Sequence, residues 1–146
     1  MSENRLAPVD SINQLIRENR IGDFSSPNLA LGMRPLQFSF GASRWSWESQ
    51  PPSVLNPFGI MQGGYLAIFI DEMMSTAIAS VLEVGEWAVT AEVKLNYLRA
   101  LRPSPLSGDA RVVRRTRALA FIEASIANER GEVAVTASST WAISKA

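Results

Sequence analysis

The sequence predicts a single α+β domain in which a curved antiparallel sheet wraps one long central helix. Two observations carry that reading. Residues 63–82 form a stretch that is apolar almost all the way round a helix, through Leu66, Ile68, Phe69, Ile70, Met73, Met74, Ile78 and Val81. Such a helix is buried and not merely laid on a surface. Everything after it reads as strand following strand, and a single sheet covers a buried helix only by curling strongly around it.

Taken in order, Asp10 or Ser11 caps a short helix over residues 12–19, with Ile12, Leu15 and Ile16 on one face. Residues 21–31 hold Gly22, Ser25, Ser26, Pro27 and Asn28 and read as a loop. Residues 1–30 are therefore expected to be an N-terminal helix-and-loop extension, and 31–146 the domain proper. Residues 36–40 alternate as a strand, and the alternation resumes at Trp45-Ser46-Trp47, with Gly41 marking a bulge or bend between the halves. Pro51-Pro52 stops that strand, and Gly85 ends the long helix. Val89, Ala91, Val93, Leu95 and Tyr97 then alternate with polar residues. Further strands are predicted over 106–115, 119–127 and 133–143, the last two joined by a hairpin at Asn128-Glu129-Arg130-Gly131. One sheet wrapped in this way leaves edge strands, which pairing with a second copy would hide.

Composition narrows the chemistry. At 146 residues the chain is long enough for one self-sufficient core, and 47% apolar against 19% charged residues argues against disorder. Zero formal net charge argues against a nucleic-acid binder driven by overall charge. There is no cysteine and no histidine, which removes thiolate catalysis, Ser–His–Asp triads, histidine bases and the usual zinc sites. Catalysis must rest on carboxylates, hydroxyls, Lys/Arg and backbone amides, with no metal and no cofactor. The polar start lacks a signal-peptide core, and the apolar run 65–81 is interrupted by Asp71 and Glu72 before it reaches a membrane span. A soluble, cytoplasmic protein is expected, with no membrane or nucleic-acid partner.

The stretch from Asn56 to Met74 holds the candidate chemistry. It runs from a loop through Gly63-Gly64 into the apolar helix, which carries the adjacent carboxylates Asp71 and Glu72. A buried acid pair costs free energy unless it is compensated, so a core alone would rarely include one. Gly63 and Gly64 stand at the helix start, where N–H groups have no partner in the helix and suit a developing oxyanion. Asp71 lies eight residues beyond Gly63, roughly 12 Å along the axis at the α-helical rise. A general base and an oxyanion donor cannot serve one carbonyl across that distance. If both belong to one site, Asp71 must meet Gly63 from a second chain, in a twofold dimer with two equivalent composite sites.

Asn56, Gly59, Gln62-Gly63-Gly64 and Asp71, followed by Val89-Thr90, Asn96-Tyr97-Leu98-Arg99 and Arg102-Pro103, resemble the hotdog-fold acyl-CoA thioesterases of the phenylacetate-pathway (PaaI-like) branch. The resemblance spans about residues 31–143 and is specific in the site-bearing part. It implies an antiparallel sheet around one helix and sites shared between subunits of a homodimer, itself within a dimer of dimers. It implies hydrolysis of an acyl- or aryl-CoA thioester, with coenzyme A entering only as part of the substrate. By position, Asp71 matches the helix carboxylate that acts as general base or nucleophile. The Gly63 amide matches the group polarising the thioester carbonyl, Asn56 the loop polar residue near it, and Thr90 the hydroxyl that helps position water. Gln62 departs from the commoner histidine before the two glycines; its amide can replace a histidine that only hydrogen-bonds loop backbone. Hotdog dehydratases and hydratases depend on a histidine, which this chain cannot supply.

Bland readings stand beside these. The glycines alone would serve close packing, Asp71 a structural interface and Thr90 a strand. Glu72 is about 100° round the helix from Asp71 and reads as structural or interfacial, with a fallback role as base. Gln62, Gly64, Met74, Arg99 and Arg102 are candidate substrate-binding residues. Met74 belongs to a set with Met61, Met73, Phe69 and Tyr65 that is core by default and adaptable enough to line an acyl pocket. Arg99, Arg102, Arg111, Arg114, Arg115 and Arg117 crowd nineteen residues opposed only by Asp109. They form either a solvated strand face or a patch for the phosphates of coenzyme A. The rival from another class is a non-catalytic acyl-CoA-binding or regulatory hotdog domain, which would need neither Asp71 nor Thr90.

Overall fold

The computed structural model describes residues 8–146. After helix α1 (Pro8–Glu18), two strands, β1 (Met33–Ser39) and β2 (Ala42–Trp47), precede helix α2 (Gly63–Ala79). Four longer strands follow: β3 (Glu86–Tyr97), β4 (Leu106–Arg115), β5 (Leu119–Ala127) and β6 (Val133–Lys145). All six form one antiparallel sheet in the order β1-β2-β4-β5-β6-β3. This is the curved sheet around a central helix that the sequence predicts, and β3 is one of its two edges.

Several boundaries differ from the sequence reading. Within the described residues helix α1 already runs from Pro8, so Asp10 and Ser11 lie inside it and are not its N-cap. The stretch read as a loop contains two short 3-10 turns, Ile21–Asp23 and Pro27–Leu31. Gly41 is no bulge. It sits in the tight turn of a β1–β2 hairpin, where Ser39 pairs with Ala42 and Gly41 takes φ 79°. The register shift in that hairpin falls between Pro35 and Gln37, beside a residue with no N–H for the ladder. Helix α2 ends at Ala79, short of residue 82, and Gly85 (φ 81°) belongs to the turn into β3. The stop is made by Ser80, whose hydroxyl donates to Ala77 O and accepts from Gly41 N–H, both at 2.7 Å. That bond ties the helix end to the first hairpin.

Helix α2 packs into the hollow of the sheet. Trp45, Trp47, Phe69, Met73 and Met74 are fully buried. Trp45 Nε1 donates to Thr76 Oγ1 at 3.2 Å, Ser43 Oγ to Met73 O at 2.7 Å, and Trp47 meets Phe69 edge to face at 5.5 Å. The closest approach is at Gly108 of β4, where a Cβ would lie only 2.3 Å from Met73 Sδ. The N-terminal segment adds Phe24 edge-on to Phe38 and Trp45.

The helix is not covered all round within one chain. Gly64 and Asp71 are exposed and Ala67, Ile68 and Ser75 are half-buried, a spacing that puts them on one stripe. Among the described residues no helix is long and apolar enough to cross a membrane.

Glu86 anchors the start of β3. Its buried carboxylate accepts from the Glu83 N–H at 2.8 Å and from the Arg115 guanidinium. The Glu83 N–H holds the Glu86 carboxyl below its ordinary 4.5, and Arg115 adds to this against the opposing effect of burial. A depressed folded-state value contributes stability that is present above the unfolded value and lost as pH falls through the folded one. Glu86→Gln is therefore expected to lower the melting temperature at pH 7. The difference from wild type should close as the pH drops below about 4, where glutamate protonates in the unfolded chain.

Candidate active site

The N-terminus of α2 is prepared from both sides. Gln62 precedes it with extended backbone (φ −66°, ψ 134°) and no side-chain cap bond. The N–H groups of Tyr65 and Leu66 both turn back to Gln62 O, leaving those of Gly63 and Gly64 without an acceptor among the described residues. The Gln62 side chain donates from Nε2 to Leu55 O at 3.1 Å, while its backbone N–H reaches Val54 O. Gln62 is thus a loop anchor, as the exchange of amide for imidazole allows.

Asn56 closes the approaching loop on itself. Its Oδ1 accepts from the N–H groups of Phe58 (2.9 Å) and Ile60 (3.1 Å), and Gly59 takes φ 72° in the turn between them. These two bonds identify Oδ1, so the amide nitrogen is the atom left over. Arg102 holds the same loop from outside, donating to Phe58 O at 3.2 Å.

Asp71 is exposed in the single chain, contrary to the buried pair that its apolar neighbours suggest. Thr90 Oγ1 of β3 donates to Asp71 Oδ1 at 2.8 Å. The acid that is buried is Glu72, 8% exposed and bonded to Asn28 Nδ2 in the 3-10 turn Pro27–Leu31. The two carboxylates therefore face different neighbours, as their angular separation on a helix requires. Glu72 clamps the N-terminal segment to the central helix.

Tyr97, given no role by the sequence reading, makes the second contact from β3. Its hydroxyl donates to Gly63 O at 2.8 Å, and its ring lies 3.0 Å from where a Gly63 Cβ would stand. The available signal was the alternation of Val93, Leu95 and Tyr97, which puts Tyr97 on the strand face turned to the helix.

The candidate binding residues scatter. Gly64 is exposed at the helix start. Met74 is fully buried, with Ser139 Oγ at 3.1 Å from its sulfur, three residues along α2 from Asp71. Arg99 lies 3.9 Å from Glu132, Arg111 pairs with Glu123 at 2.8 Å and Arg115 with Glu86. Arg114 and Arg117 are exposed without an ion pair among the described residues. Three of the six arginines are thus held in ion pairs, of which Arg111–Glu123 links the neighbouring strands β4 and β5. A cavity of about 620 Å³ opens on the outer face of the sheet among Arg44, Lys94, Asp109, Arg111 and Glu123, and none of Asn56, Gly63, Asp71 or Thr90 lines it.

The family model described as the thioesterase superfamily matches residues 58–135, more than half of the chain. This protein belongs to the thioesterase superfamily. The matched segment holds Gly63, Asp71, Thr90 and Tyr97, and the hydrolase assignment and the hotdog fold follow from it and from the structural likenesses. A protein of Saccharolobus solfataricus provisionally named an esterase is 22% identical over 135 residues, covering 92% of this chain and 85% of the relative. The PaaI protein from the Escherichia coli phenylacetic acid degradation operon shares the fold with a TM-score of 0.76 at 15% identity, covering 92% of this chain and 94% of that one. A phenylacetic acid degradation-related protein of Ralstonia eutropha does so with a TM-score of 0.77 at 24% identity, covering 90% and 98%.

The Asn28–Glu72 clamp of this thioesterase has its own test. Asn28→Ala and Glu72→Ala should each destabilise the fold in urea by about 1–3 kcal/mol, the cost of leaving a buried partner unpaired. The double variant should lose clearly less than the sum.

Proposed function

We propose that this thioesterase hydrolyses an acyl- or aryl-CoA thioester at two equivalent sites, each shared between the subunits of a homodimer. The observation that carries the proposal is the pair of contacts between β3 and α2. Thr90 holds Asp71 and, seven positions along the same strand (97 − 90 = 7), Tyr97 holds Gly63. Strand β3 is an edge, with Val89, Val93 and Tyr97 exposed along it, and such an edge is a template for another strand. With the bulge between Thr90 and Glu92 left out of the count, antiparallel pairing of two β3 strands about a twofold axis near Lys94, the midpoint of that interval on the ladder, sets Thr90 of one chain opposite Tyr97 of the other. Asp71 of one subunit then approaches the Gly63–Gly64 turn of its partner, and the exposed helix stripes cover each other. The mismatch of roughly 12 Å within one chain disappears.

In that geometry the thioester carbonyl oxygen accepts from the Gly63 N–H at the positive end of α2, and Asn56 Nδ2 lies on the loop beside it. As the carbonyl becomes tetrahedral, a donor of this kind is worth about 3 kcal/mol. Asp71 of the partner subunit, oriented by Thr90 on its own chain, takes a proton from water as the water oxygen bonds to the acyl carbon, or attacks that carbon directly. On the first route collapse of the intermediate breaks the C–S bond, the departing thiolate takes the proton from Asp71, and the acid and the CoA thiol leave. On the second, collapse expels the thiolate and leaves an acyl–Asp71 anhydride. Water hydrolyses the anhydride to the acid, the proton released passing to the thiolate and Asp71 returning to its carboxylate form. Arg102, beside the Asn56 loop, and Arg99 are the arginines best placed for the phosphates of coenzyme A, and two such dimers complete a dimer of dimers. The Thr90–Asp71 bond favours this reading over a non-catalytic acyl-CoA-binding domain, which has no use for an oriented carboxylate.

Asp71→Asn should lower kcat for thiol release from acyl-CoA thioesters by about 10²–10⁴-fold, the usual worth of a general base, with the mass of the oligomer in light scattering unchanged. Turnover near the wild-type rate would exclude Asp71 as the base or nucleophile.

A further inference from the structure

We propose that Tyr97 is a positioning residue of the carbonyl-polarising turn, acting through the Gly63–Gly64 peptide. The inference rests on the thioesterase reading and extends it to a residue outside the reacting atoms. Its basis is covalent geometry. The Gly63 carbonyl and the Gly64 N–H belong to one planar unit, so a bond that holds the carbonyl also fixes where that N–H points. The Tyr97 hydroxyl makes this bond at 2.8 Å. The Gly64 N–H at the other side of the same peptide has no acceptor among the described residues. A donor placed on a carbonyl also polarises the N–H of its amide, since hydrogen bonds in a chain strengthen one another. Tyr97 O–H and the Gly63–Gly64 peptide therefore set the Gly64 N–H as a second donor of the turn, beside the Gly63 N–H from which the thioester carbonyl accepts.

A second, independent observation concerns the glycine. Tyr97 Cζ and Oη both lie 3.0 Å from the position of a Gly63 Cβ, and Cε1 lies at 3.3 Å. A Cβ at residue 63 would crowd the ring, which would have to give by a few tenths of an ångström, so the seat of Tyr97 favours glycine there beside any need for substrate access. Gly64, by contrast, has open space where its Cβ would be. The ring and the glycine are thus one unit, with the phenol seated on the first turn of α2 and its hydroxyl turned to the one carbonyl that controls the neighbouring N–H. Because Tyr97 is on the strand that carries Thr90, a single strand sets both the partner of Asp71 and the donor turn.

Steady-state kinetics on the full chain with a panel of acyl-CoA thioesters separates this role from simple packing. Tyr97→Phe keeps the ring and removes the hydroxyl. It should lower kcat about five- to tenfold, the worth of one neutral hydrogen bond, with KM within about twofold of wild type. Gly63→Ala crowds the ring and strains its hydrogen bond, and should lower kcat as well. Adding Tyr97→Phe to Gly63→Ala should cost clearly less than Tyr97→Phe costs alone, because the bond it removes is already weakened. Wild-type kcat in Tyr97→Phe, or losses that multiply in the double variant, would overturn the role of Tyr97 while leaving hydrolysis through Asp71 intact. A wild-type protein that releases no thiol from any thioester would instead overturn the thioesterase reading and this inference with it.

Discussion

Two side chains on one edge strand hold the central helix where its chemistry lies. Tyr97 meets the first residue of α2 and Thr90 meets the carboxylate two turns further on, both at 2.8 Å. The remaining contacts of the helix are of another kind. Against β2 and β4 it is pressed in by tryptophans, by Met73 and by the absence of a side chain at Gly108, a packing that fixes its depth and tilt. Toward β3 it offers a glycine turn and an acid to polar partners and leaves a stripe uncovered. A buried helix with one polar, open side cannot be satisfied by its own sheet alone, and that unpaired side is the part of the structure to which function is assigned.

The adjacent acids illustrate how burial sorts similar residues. Glu72 is enclosed, hydrogen-bonded to Asn28 and committed to holding the N-terminal segment. Asp71 is turned outward with a single hydroxyl for company. A carboxylate enclosed among protein donors is a structural element, because freeing it would leave a buried charge unpaired. One that is open to water and oriented by a hydroxyl remains available to react.

Much of this was legible in the sequence, for identifiable reasons. The all-round apolar helix and the alternating strands after it carry strong periodic signals, and they led to the sheet-around-helix architecture. The Gln62-Gly63-Gly64 turn and Asp71 stood out because glycines and acids are conspicuous at the start and middle of an apolar run. What escaped notice depends on pairs distant in the chain. Nothing local marks Asn28 as the partner of Glu72, 44 residues away, or Tyr97 as the lid of Gly63, 34 residues away. Gly41, read as a bulge or bend between two halves of one strand, is the turn of a hairpin, because a glycine between two short alternating runs fits either and only the cross-strand register distinguishes them. Met74 stood out as a pocket candidate by its chemistry alone, and its contact with Ser139, 65 residues away, is another pair that nothing local marks.

The central claim is that each site takes its carboxylate from one chain and its amide turn from another. Mixing two inactive variants tests it directly. One chain carries Asp71→Asn and the other Gly63→Val, and the two are unfolded together and allowed to reassemble. A shared site is restored in every mixed dimer, where Asp71 of the second chain faces Gly63 of the first. Half of randomly formed dimers are mixed and each has one intact site of two, so the mixture should regain about a quarter of the wild-type rate. Sites contained within single chains would leave the mixture as inactive as its two parents, and that result would contradict the account.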